Sequence, residues 1–159
     1  MLLDAQERSR WDRVLIRRGL AALDRAERLS TTPGAYALQA GIAACHARAR
    51  GLEETDWPRI VDLYTALAYL TGSPVVELNR AVAVGMASGP AAGLAIVDAL
   101  VTSAALTTYH YLPSVRGHLL EQLGRAAEAR VEFQRAAALT KNAQERAVLL
   151  ARAERLGSA

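Results

Sequence analysis

Apolar residues recur along the chain at intervals of three and four and never alternate with polar ones over a long run, so the pattern predicts helices throughout. A first helix is expected over about 9–29, with Trp11, Leu15, Ala22, Ala26 and Leu29 on one stripe and Ile16, Leu20 and Leu23 on the next. Two adjacent stripes suit a helix touching two neighbours. Thr32-Pro33 reads as a cap followed by proline at the first helical position of a second helix, which Gly51 closes. Asp56-Trp57-Pro58, Ser73-Pro74 and Gly89-Pro90 open three more, ending near Gly72, Ala87 and Val101. After a looser stretch at 102–108, a sixth helix is expected over about 110–123, possible starts reaching as late as Pro113. Gly124 turns into a seventh over about 126–139, and Asn142 caps an eighth running to Leu156. The short connections predict that successive helices lie antiparallel.

Residues 110–142 carry the spacing of a helix-pair repeat of about 34 residues, the tetratricopeptide period. Gly117 stands where two helices approach closely, Leu120 packs a turn later and Gly124 makes the turn, while Ala129, Phe133 and Ala136 give the second helix a small–aromatic–small face. Pro113 and Arg116 depart from the pattern, standing where an aromatic and a leucine are usual. Residues 73–100 repeat the rhythm more weakly, with Ala81 and Gly93 as small contacts. The expected fold is therefore all-α: antiparallel helix pairs stacked as a tetratricopeptide-like right-handed superhelix of about seven to eight helices. An ordinary antiparallel bundle is the alternative. One helical domain is expected over 1–159, with atypical N-terminal helices at 9–71, a degenerate repeat at 73–101, the clearest repeat at 109–141 and a capping helix at 142–156.

Composition sharpens this picture. The 159 residues include 33 alanines and only 5% aromatics, which favours helices packed closely on small side chains. Arginine outnumbers lysine 18 to 1, yet acidic residues hold the net charge to +3, so the basic pI overstates any attraction to nucleic acid. A single cysteine, Cys45, excludes an internal disulfide; no signal peptide pattern or membrane-length apolar run is found, and a cytoplasmic location is expected.

Catalytic and metal-binding patterns are absent from the sequence. Cys45 and His46 are neighbours on a helix and point about 100° apart, and neither His110 nor His118 has a partner at i+4. There is no phosphate-cradling glycine loop and no nucleophile elbow. No enzyme activity, cofactor, metal or small-molecule ligand is expected. Residues 8–18 hold five arginines, but the apolar residues among them and Asp4, Glu7 and Asp12 argue against a DNA-reading helix.

Polar residues on stripes otherwise apolar are the remaining signal. Gln39 and His46 share a face with Ile42, and Asn79 shares one with Val75, Val82 and Met86. Such groups either tie helices together by hydrogen bonds or line a groove for a partner. Asn79, Arg80 and Arg116 fall on the first helices of their pairs, which form the inner surface of a helical stack.

Taken in order, RSRWDRVLIRRGLAAL (8–23), PGAYALQAGIAACHARA (33–49), TDWPRIVDLYTALAYLTGSPVVELNRAVAV (55–84) and LLEQLGRAAEARVEFQRAAALTKNAQER (119–146) resemble the C-terminal tetratricopeptide-like extension of one subfamily of extracytoplasmic-function RNA polymerase sigma factors. The resemblance covers essentially the whole chain, which contains neither sigma module. It implies an accessory or regulatory role in transcription initiation, through contact with the sigma modules or core RNA polymerase, with no direct DNA contact and no membrane. Candidate contact residues are Arg10, Trp11 and Arg13 near the linker, and Tyr36, Gln39, His46, Asn79, Arg80 and Arg116 on the possible groove. For Trp11 and Tyr36 the competing reading is core packing; for Arg10 and Arg13 it is a solvated helix face. The competing function is a free-standing helical-repeat adaptor that captures a peptide of an unrelated protein.

Overall fold

The structure, a computed structural model, describes residues 11–29 and 33–157. All regular structure among them is helical: α1 (Arg13–Leu29), α2 (Ala35–Arg48), α3 (Trp57–Thr71), α4 (Pro74–Ser88), α5 (Pro90–Leu100), a 3-10 turn (Ala104–Leu106), α6 (Tyr111–Gln122), α7 (Ala126–Leu139) and α8 (Ala143–Gly157). The helices pack in consecutive pairs, as the all-α reading expects. The chain divides between Gly72 and Ser73 into two compact units. Their boundary coincides with the passage from the atypical N-terminal helices to the repeats.

The helix starts follow local chemistry, with two corrections. α1 begins at Arg13 because the Asp12 carboxylate accepts hydrogen bonds from the Val14 and Leu15 amides at 2.8 and 3.1 Å, leaving Trp11 in a bend before the helix. Trp11 is therefore not part of a helical stripe, and the expected start at 9 lies outside the described residues. α2 begins at Ala35 after Gly34, so Pro33 precedes the helix instead of opening it. Asp56 caps α3 by accepting from the Arg59 amide at 3.0 Å, and Pro58, Pro74 and Pro90 all sit in first turns, where a missing N–H costs nothing.

In the first unit, α2 contributes Leu38, Ile42, Ala44 and Cys45 to the interior and α3 contributes Ile60, Leu63 and Leu67. The loop between them is tied down: Trp57 Nε1 donates to the Leu52 carbonyl at 3.1 Å and Thr55 Oγ1 to the Gly51 carbonyl at 2.9 Å. α1 packs on α2 through half-buried Ile16 and Leu20 and buried Leu23. On its other predicted stripe Leu15 is 63% and Leu29 88% exposed, so among the described residues nothing covers these positions.

The second unit has one continuous core running from Leu78 and Ala81 of α4 through Phe133 of α7 to Leu149 and Ala153 of α8. The stretch at 102–108 joins it by burying Leu106 in the 3-10 turn. The predicted packing residues behave as the repeat requires: Leu120, Ala129, Phe133 and Ala136 are fully buried. A Cβ on Gly117 would lie 2.9 Å from the Phe133 ring, which is why the aromatic can seat there. Gly124 turns the chain with φ of 73°, a left-handed conformation that favours glycine.

Candidate functional site

The nine sequence-predicted contact residues are divided between the two units. Trp11, Arg13, Tyr36, Gln39 and His46 belong to the first unit and Asn79, Arg80 and Arg116 to the second, while Arg10 lies outside the described residues. Asn79 is exposed, and so are Val82 and Met86 at 37% and 41%. From Asn79 to Met86 their stripe is therefore exposed, while Val75 packs against the core beside the inward Leu78 and Ala81. Arg80 is paired within its own helix, with Nε donating to Glu77 Oε2 at 2.9 Å, and that hydrogen bond holds its guanidinium in the charged form.

Arg116 has a structural position. Its Nε donates to Asp98 of α5 at 2.8 Å and its Nη1 to Glu132 of α7 at 2.7 Å, so it joins three helices from the place a leucine would occupy. The Glu132 side chain is only 9% exposed, and its Oε2 is buried with no donor among the described residues. Neither carboxylate was legible as a partner, since they lie 18 and 16 residues away in sequence. A second clamp, also missed, crosses from α6 to α8: Arg152 donates to Glu121 at 2.9 Å and to His118 Nδ1 at 2.7 Å while lying 4.8 Å over the Phe133 ring.

In the first unit, His46 packs edge-on to Trp57 at 5.5 Å between ring centroids, so it serves the α2–α3 seam. Beside it, burial pushes the Cys45 thiol above its ordinary pKa, and the Asp56 carboxylate adds to the effect. Gln39 is exposed, and Tyr36 is 89% exposed, which overturns core packing for that tyrosine. Arg13 is exposed, as a solvated face or a contact surface both require.

Between α1 and α2 runs an open apolar groove of about 230 Å³. The large side chains of Ile16, Leu20 and Leu23 line it from α1, and the small Ala40, Ala43 and Ala47 from α2. Gly19 borders it with open space where its Cβ would be. Sequence reasoning missed this groove although its signal was present. α2 is apolar nearly all round, and its buried residues, Leu38, Gly41, Ile42, Ala44 and Cys45, leave its alanine face over.

This groove and its surroundings form the best candidate surface for binding. Among the described residues no group of three or more His, Cys, Asp or Glu side chains gathers to hold a metal, and no helix is long and apolar enough to cross a membrane. No family model matches the chain, and no solved structure matches it. It is similar to an uncharacterized protein of Rhizobium meliloti (strain 1021), with 51% identity over 149 residues, which is 94% of this chain. The match spans 34% of that protein, so the chain covers about a third of its relative's length.

Proposed function

We propose that the chain is an accessory docking domain of an extracytoplasmic-function sigma factor, binding the sigma modules or core RNA polymerase to tune transcription initiation. On this reading it works by protein contact and not by turnover. The observation that carries the docking function is the first unit's surface, where an apolar groove and an exposed apolar stripe adjoin the exposed arginines of α1. The sigma-factor setting is supported by the ordered sequence stretches that resemble that family's extension. A relative about three times as long also leaves room for further modules beside such a domain. Within a longer polypeptide, a linker would raise the effective concentration of docking surface and target to the millimolar range, so weak contacts would suffice.

Calorimetric titration of the folded chain into the sigma modules of such a longer polypeptide tests the proposal. Binding is expected; no heat up to roughly 1 mM, equivalent to less than about 4 kcal/mol of affinity, would refute docking on those modules. Asn79→Ala and Arg80→Ala read the second unit's contribution, and unchanged affinity would remove that face from the interface.

A further inference from the structure

We propose that the α1/α2 groove receives an acidic amphipathic helix of a protein partner. The inference rests on the docking reading above but not on the sigma-factor setting.

The groove sets the scale of the ligand. An engineered apolar cavity of about 150 Å³ holds a benzene molecule, so the 230 Å³ here takes one or two apolar side chains and no larger body. The apolar surface does not stop at the groove. It continues past Gly19, where no Cβ intervenes, to the exposed stripe of Leu15, Ala22 and Leu29, placed at i, i+7 and i+14. Fourteen residues of helix rise about 21 Å, so a partner helix of four turns lying along α1 would place its anchors in the groove and on this stripe. The alanines of α2 and Gly19 allow its backbone to come close.

Charge selects the kind of helix. α1 carries Arg13, Arg17, Arg18, Arg25 and Arg28 against Asp24 and Glu27. Asp24 already lies 3.5 Å from Arg48 of α2. All five arginines are exposed, and among the described residues none forms an ion pair. Arg18 and Arg25 follow Leu15 and Ala22 by three residues, so they flank the apolar stripe along one edge. A helix with leucine-type anchors and carboxylates on the adjoining flank matches both features at once. A second copy of this surface would oppose arginine to arginine. A flat bilayer does not fill a concave seam, and a phosphate backbone gains nothing from the leucines between the arginines.

The test uses the full chain and a fluorescein-labelled 16-residue helical peptide with leucines at i, i+3 and i+7 and glutamates beside them, read by anisotropy. A lysine counterpart is the control. The glutamate peptide is expected to bind at least about tenfold more tightly than the lysine one, and raising salt to 0.5 M is expected to narrow the gap by screening. Arg18→Glu with Arg25→Glu, both at exposed positions, should invert the preference. Gly19→Leu places a side chain in open space at the groove, raises helix propensity and should abolish binding while circular dichroism stays unchanged. Equal binding of both peptides, no binding of either, or indifference to Gly19→Leu would overturn the proposal. So would poly(U) or phosphatidylserine vesicles displacing the glutamate peptide through the same arginines. If the glutamate peptide binds but sigma modules do not, the groove stands and the transcription setting falls. If sigma modules bind equally well to the Gly19→Leu and arginine-reversed chains, the docking reading stands and the groove assignment falls.

Discussion

Replacing Arg116 by leucine restores the residue that the repeat pattern favours, yet it should destabilise the second unit. The guanidinium is the donor to Glu132 Oε1 at 2.7 Å, and the Glu132 side chain is only 9% exposed, so the substitution strands a buried carboxylate. Breaking a buried pair by removing one partner costs about 3–5 kcal/mol. The lower end applies here because a fifth of the Arg116 side chain reaches solvent. The Asp98 arm adds less than about 1 kcal/mol, since that carboxylate is 46% exposed. A loss of about 3 kcal/mol corresponds to about 6–12 °C in Tm for a chain of this size. Adding Glu132→Leu to Arg116→Leu removes the stranded charge and should bring stability back to within about 1 kcal/mol of the parent, or above it. Urea unfolding followed by far-UV circular dichroism on the parent, both singles and the double variant closes the cycle. A coupling energy below about 0.5 kcal/mol, or a single Arg116→Leu as stable as the double, would refute the clamp. The folded double variant also separates roles, because it should bind partner as the parent does if Arg116 serves architecture alone.

Two glycines should respond oppositely to alanine. At Gly93 a Cβ would stand 2.8 Å from the Ala81 carbonyl oxygen and 3.0 Å from Gly85 Cα, backbone atoms that cannot swing away. Overpacking of about 3 kcal/mol set against a helix-propensity gain of about 1 leaves a net loss near 2 kcal/mol in urea melts. At Gly19 nothing lies within 4 Å, so alanine should gain up to about 1 kcal/mol; a loss there would mean the α1/α2 seam is closed. Cys45 is buried and its thiol pKa is raised, so at pH 8 less of it is thiolate than for an ordinary cysteine. Labelling by Ellman's reagent should be much slower in the folded chain than in 6 M urea, and equal rates would contradict the burial.

Much of the architecture was legible because helix punctuation is local. Proline in a first turn, an aspartate cap and a left-handed glycine each act within four residues, and α3 to α8 begin within a residue or two of the positions those signals mark. The packing of Gly117 against Phe133 was legible for a related reason. Repeat spacing fixes which residues of a helix pair meet, and only a missing Cβ leaves room for the ring. The first helices were harder to read. The Asp12 carboxylate caps α1 through the Val14 and Leu15 amides, and an extended Gly34 stands at the N-cap of α2, one residue after Pro33.

What periodicity could not assign was the occupant of each stripe. Leu15, Ala22 and Leu29 have the same spacing as a buried face, and so do Val82 and Met86 around Asn79, yet these faces are open to solvent. A stripe records that a helix has an apolar side; whether a neighbour covers it depends on helices distant in sequence. The same holds for charge. Arg116 looked available for a partner until tertiary packing brought Asp98 and Glu132 to it, whereas the α1 arginines looked like ordinary solvated charge until an apolar groove proved to run beside them. Local chemistry was enough to mark where α3 to α8 start, because caps and backbone hydrogen bonds act within a few residues, and the short connections set which helices pair. Which apolar and charged faces were consumed by folding and which stayed exposed emerged only with the tertiary structure, because that depends on contacts between segments far apart in the chain.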